Sequence, residues 1–269
     1  MDNILIIAST SELAQRTIEE LKKRNCKIFA TSRQKANIMD EDIKIFHLYV
    51  ENELDFIHLK ETFFNIKFDT IINFAGIAIA SPVAELEENA LKKQLEVNLF
   101  GLLRVIKYLC PNLKEGGKLV NVSSMASYGV FPFISPYCLS KAASDILLNS
   151  YAIENNVKVV SIRPGAVATK FWDTSIELNK NFIEDNNTKF NNETEFLIKN
   201  AKYNSLHSIN PIYVSKKIAN IVMSKNPKCV YNIGLDSKFA KLSRFLPQKV
   251  INNLIKFTLK TRIKNETNV

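Results

Sequence analysis

The sequence predicts an α/β fold, a doubly wound parallel sheet of about seven strands with helices on both faces. Three observations carry this expectation. Short β-branched runs alternate with longer helical patterns along most of the chain. The strand-like runs end in Ser, Asn-x-x-Gly or Pro-Gly, as strands entering turns do. The chain has no internal repeat and no low-complexity linker, and its 46% apolar content supplies a core.

The elements follow in order. "NILIIA" (3–8) reads as a strand, and residues 11–25 as a helix with Ser11 as N-cap and apolar residues at Leu13, Ala14, Ile18 and Leu21. "KIFATS" (27–32) and "IKIFHLYV" (43–50) are strands, residues 54–66 a helix, and "DTIINFAG" (69–76) a strand that ends in a turn. A long helix occupies 89–110, and "GGKLVNVSS" (116–124) is the next strand. Residues 135–155 form a helix with Pro136 in its first turn. "VKVVSIRPG" (157–165) is a strand, 210–224 a helix, and "KCVYNIG" (228–234) a strand. Between 173 and 210 the chain is polar and Asn-rich, without core periodicity, so this insertion is expected to be a substrate lid. One domain extends to about residue 235, and 236–269 is a basic amphipathic C-terminal extension.

Charge and cysteine usage narrow the class. The net charge is +9, yet eight basic and no acidic residues lie between Lys238 and Lys264, so the rest is nearly balanced. A nucleic-acid-binding surface is therefore not expected. The four cysteines form no C-x-x-C pair, and no His or Cys has metal-ligand spacing, so no metal is expected. Reduced cysteines and the lack of a signal-peptide pattern fit the cytoplasm.

In a doubly wound sheet, ligands bind beyond the carboxyl ends of the strands. Tyr137 and Lys141 are four apart on a predicted helix and share a face. An ammonium beside a phenol lowers its pKa and makes it usable as a general acid or base. Tyr213 and Lys217 repeat the spacing, but only Tyr137 has a serine, Ser124, thirteen residues upstream at a strand end.

With these residues the chain resembles the short-chain dehydrogenase/reductase family, of the shorter, single-domain type, over about residues 3–235. The matching motifs are "NFAG" (73–76), "VNLFG" (97–101), "VNVSS" (120–124), "YCLSK" (137–141) and "RPGAVAT" (163–169), in family order and spacing. The resemblance implies a Rossmann-like fold and hydride transfer with a nicotinamide. By it, Ser124 orients the substrate carbonyl or hydroxyl, and Tyr137 moves the proton. Lys141 holds the nicotinamide ribose and tunes Tyr137, and Asn98 sits in a water-linked proton relay. Pro164, Gly165, Val167 and Thr169 would contact the nicotinamide end. Asn73, Ala75 and Gly76 would support the adenosine side.

The family's glycine pattern T-G-x-x-x-G-x-G falls on "IASTSELA", with Ala8, Glu12 and Ala14 in place of the three glycines. Ala8 is expected to crowd the pyrophosphate, and Glu12 to compete with it. Ser9, Thr10 and Ser11 can still donate hydrogen bonds, and Leu13 completes the expected contact segment. The second strand ends in "ATSR", with Arg33 where a 2′-phosphate would lie and no acidic residue for a 2′-hydroxyl, which favours NADP(H) over NAD(H). Tyr49 stands where the family often has Asp and could stack on adenine.

Met125, Tyr128, Phe131, Phe133, Phe171 and Trp172 are expected to line an apolar substrate pocket suited to a hydrophobic carbonyl or alcohol. The resemblance implies a homo-oligomer, dimer or tetramer, through helices 89–110 and 135–155. For the tail at 238–264, similar to that of retinoid-, steroid- and lipid-acting relatives, two readings stand. It covers the pocket or a subunit contact, which is the favoured reading, or it lies on an anionic membrane surface. Two alternatives to the oxidoreductase are a non-catalytic relative that binds a nucleotide or a partner, and an epimerase or dehydratase. The latter usually has a longer C-terminal domain.

Overall fold

A computed structural model describes residues 1–34, 43–183 and 188–267. Residues 184–187 of the expected lid and 268–269 of the C-terminal extension lie outside the described residues. Seven parallel strands form one sheet in the order β3-β2-β1-β4-β5-β6-β7. They are β1 Asn3–Ile7, β2 Lys27–Ser32, β3 Ile43–His47, β4 Phe68–Asn73, β5 Leu113–Val122, β6 Lys158–Pro164 and β7 Val230–Ile233. The chain runs outward from β1 through β2 to β3, then returns to set β4 on the other side of β1. That reversal opens a crevice at the carboxyl ends of β1 and β4, which is where such sheets bind ligands.

Alternation along the strands divides the core between the two faces. Leu5, Ile7, Phe29 and Ile71 point one way and pack with α2 (Glu53–Thr62) through Phe56 and Leu59. The same layer takes Val97, Leu102 and Val105 of α3, the long helix that begins at Glu88–Leu95 and runs unbroken to Leu109. It also takes Leu148 of α4 (Ser135–Asn155). Ile4, Ile6, Ile28 and Ile72 point the other way, onto Ala14, Ile18 and Leu21 of α1 (Glu12–Lys22). There they also meet Val214, Ile218 and Val222 of the later helix Pro211–Met223. Strands apolar on both faces are the mark of a sheet covered on both sides.

Three features differ from the sequence expectation. The third strand stops at His47, because the Asp55 carboxylate takes the Tyr49 amide at 2.8 Å and Asn52 bonds back to the Tyr49 carbonyl. The fifth strand begins three residues earlier than expected, at Leu113, across a register shift against β4. The polar insertion is largely helical: α5 Phe171–Leu178, α6 Lys180–Ile183 and α7 Asn191–His207 precede α8 Pro211–Met223. Polar contacts, such as Ser175 and Asn179 donating to the Ala78 carbonyl, hold it rather than a periodic apolar face. The C-terminal extension is two helices, α9 Leu235–Ser243 and α10 Gln248–Thr267.

Candidate active site

The turn between β1 and α1 answers the missing glycines. Ala8 has φ 60°, the left-handed conformation that glycine adopts freely and alanine resists. The backbone thus keeps the shape of the family's first glycine with a methyl in its place. Ser11 caps α1 by accepting from the Ala14 amide at 3.3 Å. The first-turn amides of Glu12 and Leu13 have no acceptor within the helix, as at any helix start. The Leu13 side chain turns away and packs against the core.

Two expectations for this turn are corrected. The Ser9 hydroxyl is not open to a phosphate: it is buried and donates to the Thr31 carbonyl at 2.9 Å, fixing β1 to β2. Glu12 is not an unbalanced charge either. Arg16, one helical turn on, reaches it at 3.2 Å, and the Lys170 amide donates to its other oxygen at 3.4 Å. Thr10 and Ser11 are the exposed hydroxyls of the turn.

Across the crevice, Asn73 at the end of β4 is buried. Its amide group donates to Asn121 of β5 at 2.9 Å, and its carbonyl oxygen accepts from the Ala75 amide at 3.2 Å. It shapes the turn rather than presenting itself to a ligand. Gly76 follows at a close approach, since a Cβ there would lie 3.2 Å from the Lys141 ammonium. Asn98 sits on a widened i→i+5 turn of α3, Glu96–Phe100, a feature that often marks functional sites. It clamps Ile77 from both sides, accepting its amide at 2.9 Å and donating to its carbonyl at 3.0 Å, and also donates to Ser140 at 2.9 Å.

Ser124, Tyr137 and Lys141 come together where β5 meets α4. Ser124 caps the turn Met125–Tyr128, accepting from the Ala126 amide at 3.1 Å. Its hydroxyl favours the ionised form of the neighbouring Tyr137 phenol, while the Lys141 ammonium lies 5.7 Å from that ring's centre. Lys141 is buried and donates to the Val122 carbonyl at 3.1 Å.

The electrostatics reverse one expectation. Burial pushes the Tyr137 phenol up to about 12, with the Ser124 hydroxyl pulling weakly the other way. In the protein alone Lys141 does not offset this rise, its own ammonium being disfavoured by burial. Its pKa falls to about 8, with the Asp145 carboxylate opposing the fall. In the protein alone, Tyr137 therefore keeps its proton at neutral pH.

The loop after β6 closes the site. Gly165 donates to the Ile233 carbonyl at 2.9 Å, and Val167, buried, pairs with Ile209. Thr169 follows just before α5, and its carbonyl accepts the Trp172 amide at 3.4 Å. Pro164 ends β6 in register with Ile233. Arg33 is exposed at the end of β2, and Tyr49 is 44% exposed, its ring edge-on to His47 at 5.1 Å. Of the expected pocket residues, Phe171 lies 6.1 Å from Tyr137, centre to centre, and Trp172 a further 6.1 Å on. Phe133 pairs with Phe190 of the lid segment at 5.8 Å. Tyr128 does not line the pocket. It is buried against the guanidinium groups of Arg163 and Arg244, 4.4 and 5.8 Å from its ring centre.

Four contributors were not singled out in the sequence. Gln94 joins the Asn98 clamp, accepting from the Ile79 amide at 2.7 Å and donating to the Ile77 carbonyl at 2.9 Å. Ser140 links Asn98 to the Tyr137 carbonyl at 2.9 and 2.8 Å. Asp145 pairs with buried Arg163 at 2.8 Å and accepts from Ser161 at 2.7 Å. Asp236 reaches back across the sheet edge to accept from the Ala166 amide at 2.8 Å. It fills the space beside Gly165, where a Cβ would come within 1.8 Å of its carboxylate. Ser140 was visible inside "YCLSK"; the other three act through contacts that no local pattern reveals. Among the described residues, no cluster of His, Cys, Asp or Glu could hold a metal. No described helix is long and apolar enough to cross a membrane.

A doubly wound parallel sheet with Ser, Tyr and Lys converging at its crevice defines an oxidoreductase of the dinucleotide-binding type. The chain belongs to the short-chain dehydrogenase family, whose description matches residues 2–179. An uncharacterised oxidoreductase of Schizosaccharomyces pombe is 28% identical over 244 residues, 84% of this chain and 92% of that one. A 3-ketodihydrosphingosine reductase of Bacteroides thetaiotaomicron is 25% identical over 271 residues, 96% of each chain. Among solved structures, a short chain dehydrogenase of Burkholderia cenocepacia in complex with NADP has the same fold, with TM-score 0.73 and 18% identity. The match covers 94% of this chain and 97% of that one.

Two outcomes follow from this geometry. Ala8→Gly relieves the left-handed alanine and should stabilise the protein by about 1 kcal/mol in urea unfolding; destabilisation would contradict the strained turn. For Lys141, the folded pKa of about 8 lies below the usual 10.5, so the unfolded chain binds more protons between those values. Stability of the cofactor-free protein relative to Lys141→Met should rise by about 1–2 kcal/mol from pH 7.5 to 9.5. A flat difference would show that Lys141 is not desolvated.

Proposed function

We propose that the protein is an NADP(H)-dependent reductase of a hydrophobic ketone or aldehyde, or in reverse a dehydrogenase of the secondary or primary alcohol. The single observation that carries this reading is the Ser124–Tyr137–Lys141 cluster opening on the crevice between β1 and β4.

The residues present fit the cofactor. The left-handed turn at Ala8 and the first-turn amides of Glu12 and Leu13 suit a pyrophosphate. Gly76 leaves room beside Lys141, whose ammonium would hold the nicotinamide ribose. Gly165 to Thr169 would border the nicotinamide. Arg33, exposed at the end of β2, would pair with a 2′-phosphate, and Tyr49 would stack on the adenine. The NADP held by the Burkholderia cenocepacia relative supports the same choice. Bound there, a reduced nicotinamide supplies the hydride to the carbonyl carbon.

The protein's own part is proton delivery and orientation. Ser124 donates a hydrogen bond to the substrate oxygen, and Tyr137, which burial keeps protonated, gives its proton to that oxygen as negative charge develops on it. The phenolate left behind is stabilised by the Lys141 ammonium, and Asn98, holding the Gly76–Ile77 backbone, lines the route by which Tyr137 is reprotonated. Phe171 and Trp172 beside Tyr137 support an apolar substrate, as does the relative named for a 3-keto lipid base. Exposed Phe100 and Leu103 on α3, with Leu139, Ile146 and Ile153 on α4, support assembly as a homo-oligomer.

Tyr137→Phe should abolish turnover of a ketone substrate, at least about a thousandfold, while NADPH binding by fluorescence titration stays near wild type. Retained turnover would sink the proposed proton donor. The wild type should bind NADPH at least about tenfold more tightly than NADH, and Arg33→Ser should erase most of that preference. Binding of neither nucleotide would point to the non-catalytic alternative.

A further inference from the structure

The two C-terminal helices expose an apolar ridge that their own packing does not use. On α9, Leu235, Phe239 and Leu242 recur at i, i+4 and i+7 and are all exposed, Phe239 at 68%. Phe245, 80% exposed, and Leu246 continue the line through the turn. On α10, Val250, Leu254 and Phe257 repeat the i, i+4, i+7 spacing, Phe257 at 69% exposure. The faces that attach these helices are different ones. Ser237 and Ala240 turn α9 toward the body, and Ser237 donates to the Arg163 carbonyl at 2.6 Å. Ile251, Ile255 and Leu259 form the partly covered side of α10, which packs against α7. The ridge is therefore surplus to folding, and an exposed apolar patch of this extent marks an interaction surface.

Charge identifies what fits it. Eight of the chain's 36 basic residues and none of its 27 acidic ones fall between Lys238 and Lys264. Lys238 and Lys241 lie on one flank of the α9 stripe, and Lys249, Lys256 and Lys260 take the corresponding flank on α10. A second copy of the chain is a poor occupant, because a two-fold contact would set this basic row against itself with no acid in the segment to offset it. Aromatic and aliphatic tips beside long cationic stems match the boundary between headgroups and acyl chains, where the tips insert and the ammonium groups meet lipid phosphates.

We infer that Leu235–Phe257 is a docking ridge for an anionic lipid surface. It is continuous with the site, because Asp236 and Ser237 at the start of α9 hold the Arg163–Ala166 backbone. The inference stands without the proposed activity.

The test is vesicle flotation of the full chain. The wild type should float with vesicles of phosphatidylcholine containing about one third phosphatidylglycerol and not with phosphatidylcholine alone, and should release at about 0.5 M salt. The exposed-residue variant Phe239→Ser/Phe245→Ser/Phe257→Ser, checked for unchanged circular dichroism, should bind at least about tenfold more weakly at low salt. An independent charge variant, Lys238→Gln/Lys241→Gln/Lys256→Gln, should lose binding to a similar extent. Absence of flotation overturns the inference, even if the chain is captured by acidic polypeptide. So does equal binding by the phenylalanine variant, which would reduce the effect to bulk charge. A wild-type dimer that this variant alone dissociates would assign the ridge to self-association.

Discussion

Much of the site is arranged around one buried ammonium. Lys141 leaves water at the junction of β5 and α4, and a charge there is tolerated only with partners. It has the Val122 carbonyl at 3.1 Å and, one helical turn away, the Asp145 carboxylate. It leaves little room at residue 76, where a methyl would come within 3.2 Å of the ammonium and push it aside. Asp145 in turn is tied to buried Arg163 and Ser161, so α4 and β6 are joined through the same charge network. The lysine is thus near its switching point while the tyrosine beside it is held protonated.

The second constraint is conformational. The β1–α1 turn needs a left-handed residue to pass from strand to helix. Glycine meets that need at least cost, yet the chain retains the shape with Ala8. Neighbouring bonds hold it there: the Ala8 amide donates to the Thr31 hydroxyl at 3.2 Å, and Ser9 is fixed to the Thr31 carbonyl through both its amide and its hydroxyl. A motif reader would count three lost glycines. The backbone has lost only glycine's freedom from strain at the first of them, and Arg16 offsets the charge at the second.

Polar clamps do at the crevice what apolar packing does in the core. Asn98 and Gln94 hold residues 77 and 79, Asn73 shapes the turn at Ala75, and Asp236 holds Ala166. Each uses a buried or half-buried side chain to satisfy loop amides that have no strand partner. The loops bordering the crevice are thereby fixed from beneath.

How much was legible in the sequence follows from the range of the forces involved. Periodicity is local, so the alternation of Ile4–Ile7 and the i, i+4 face of Tyr137 and Lys141 were readable directly, as was the Ser11 cap. The polar insertion misled because its helices rest on long-range hydrogen bonds, such as those of Ser175 and Asn179 to the Ala78 carbonyl, which leave no periodic trace. The sequence by itself determined the sheet, its order of elements and the residues of the Ser–Tyr–Lys cluster, because burial patterns and short spacings encode them. Only the tertiary structure decided that Tyr137 keeps its proton, that Ser9 and Tyr128 are spent on packing, and that Asp236 and Asp145 serve the site. Desolvation and contacts between distant segments exist only once the chain has closed on itself.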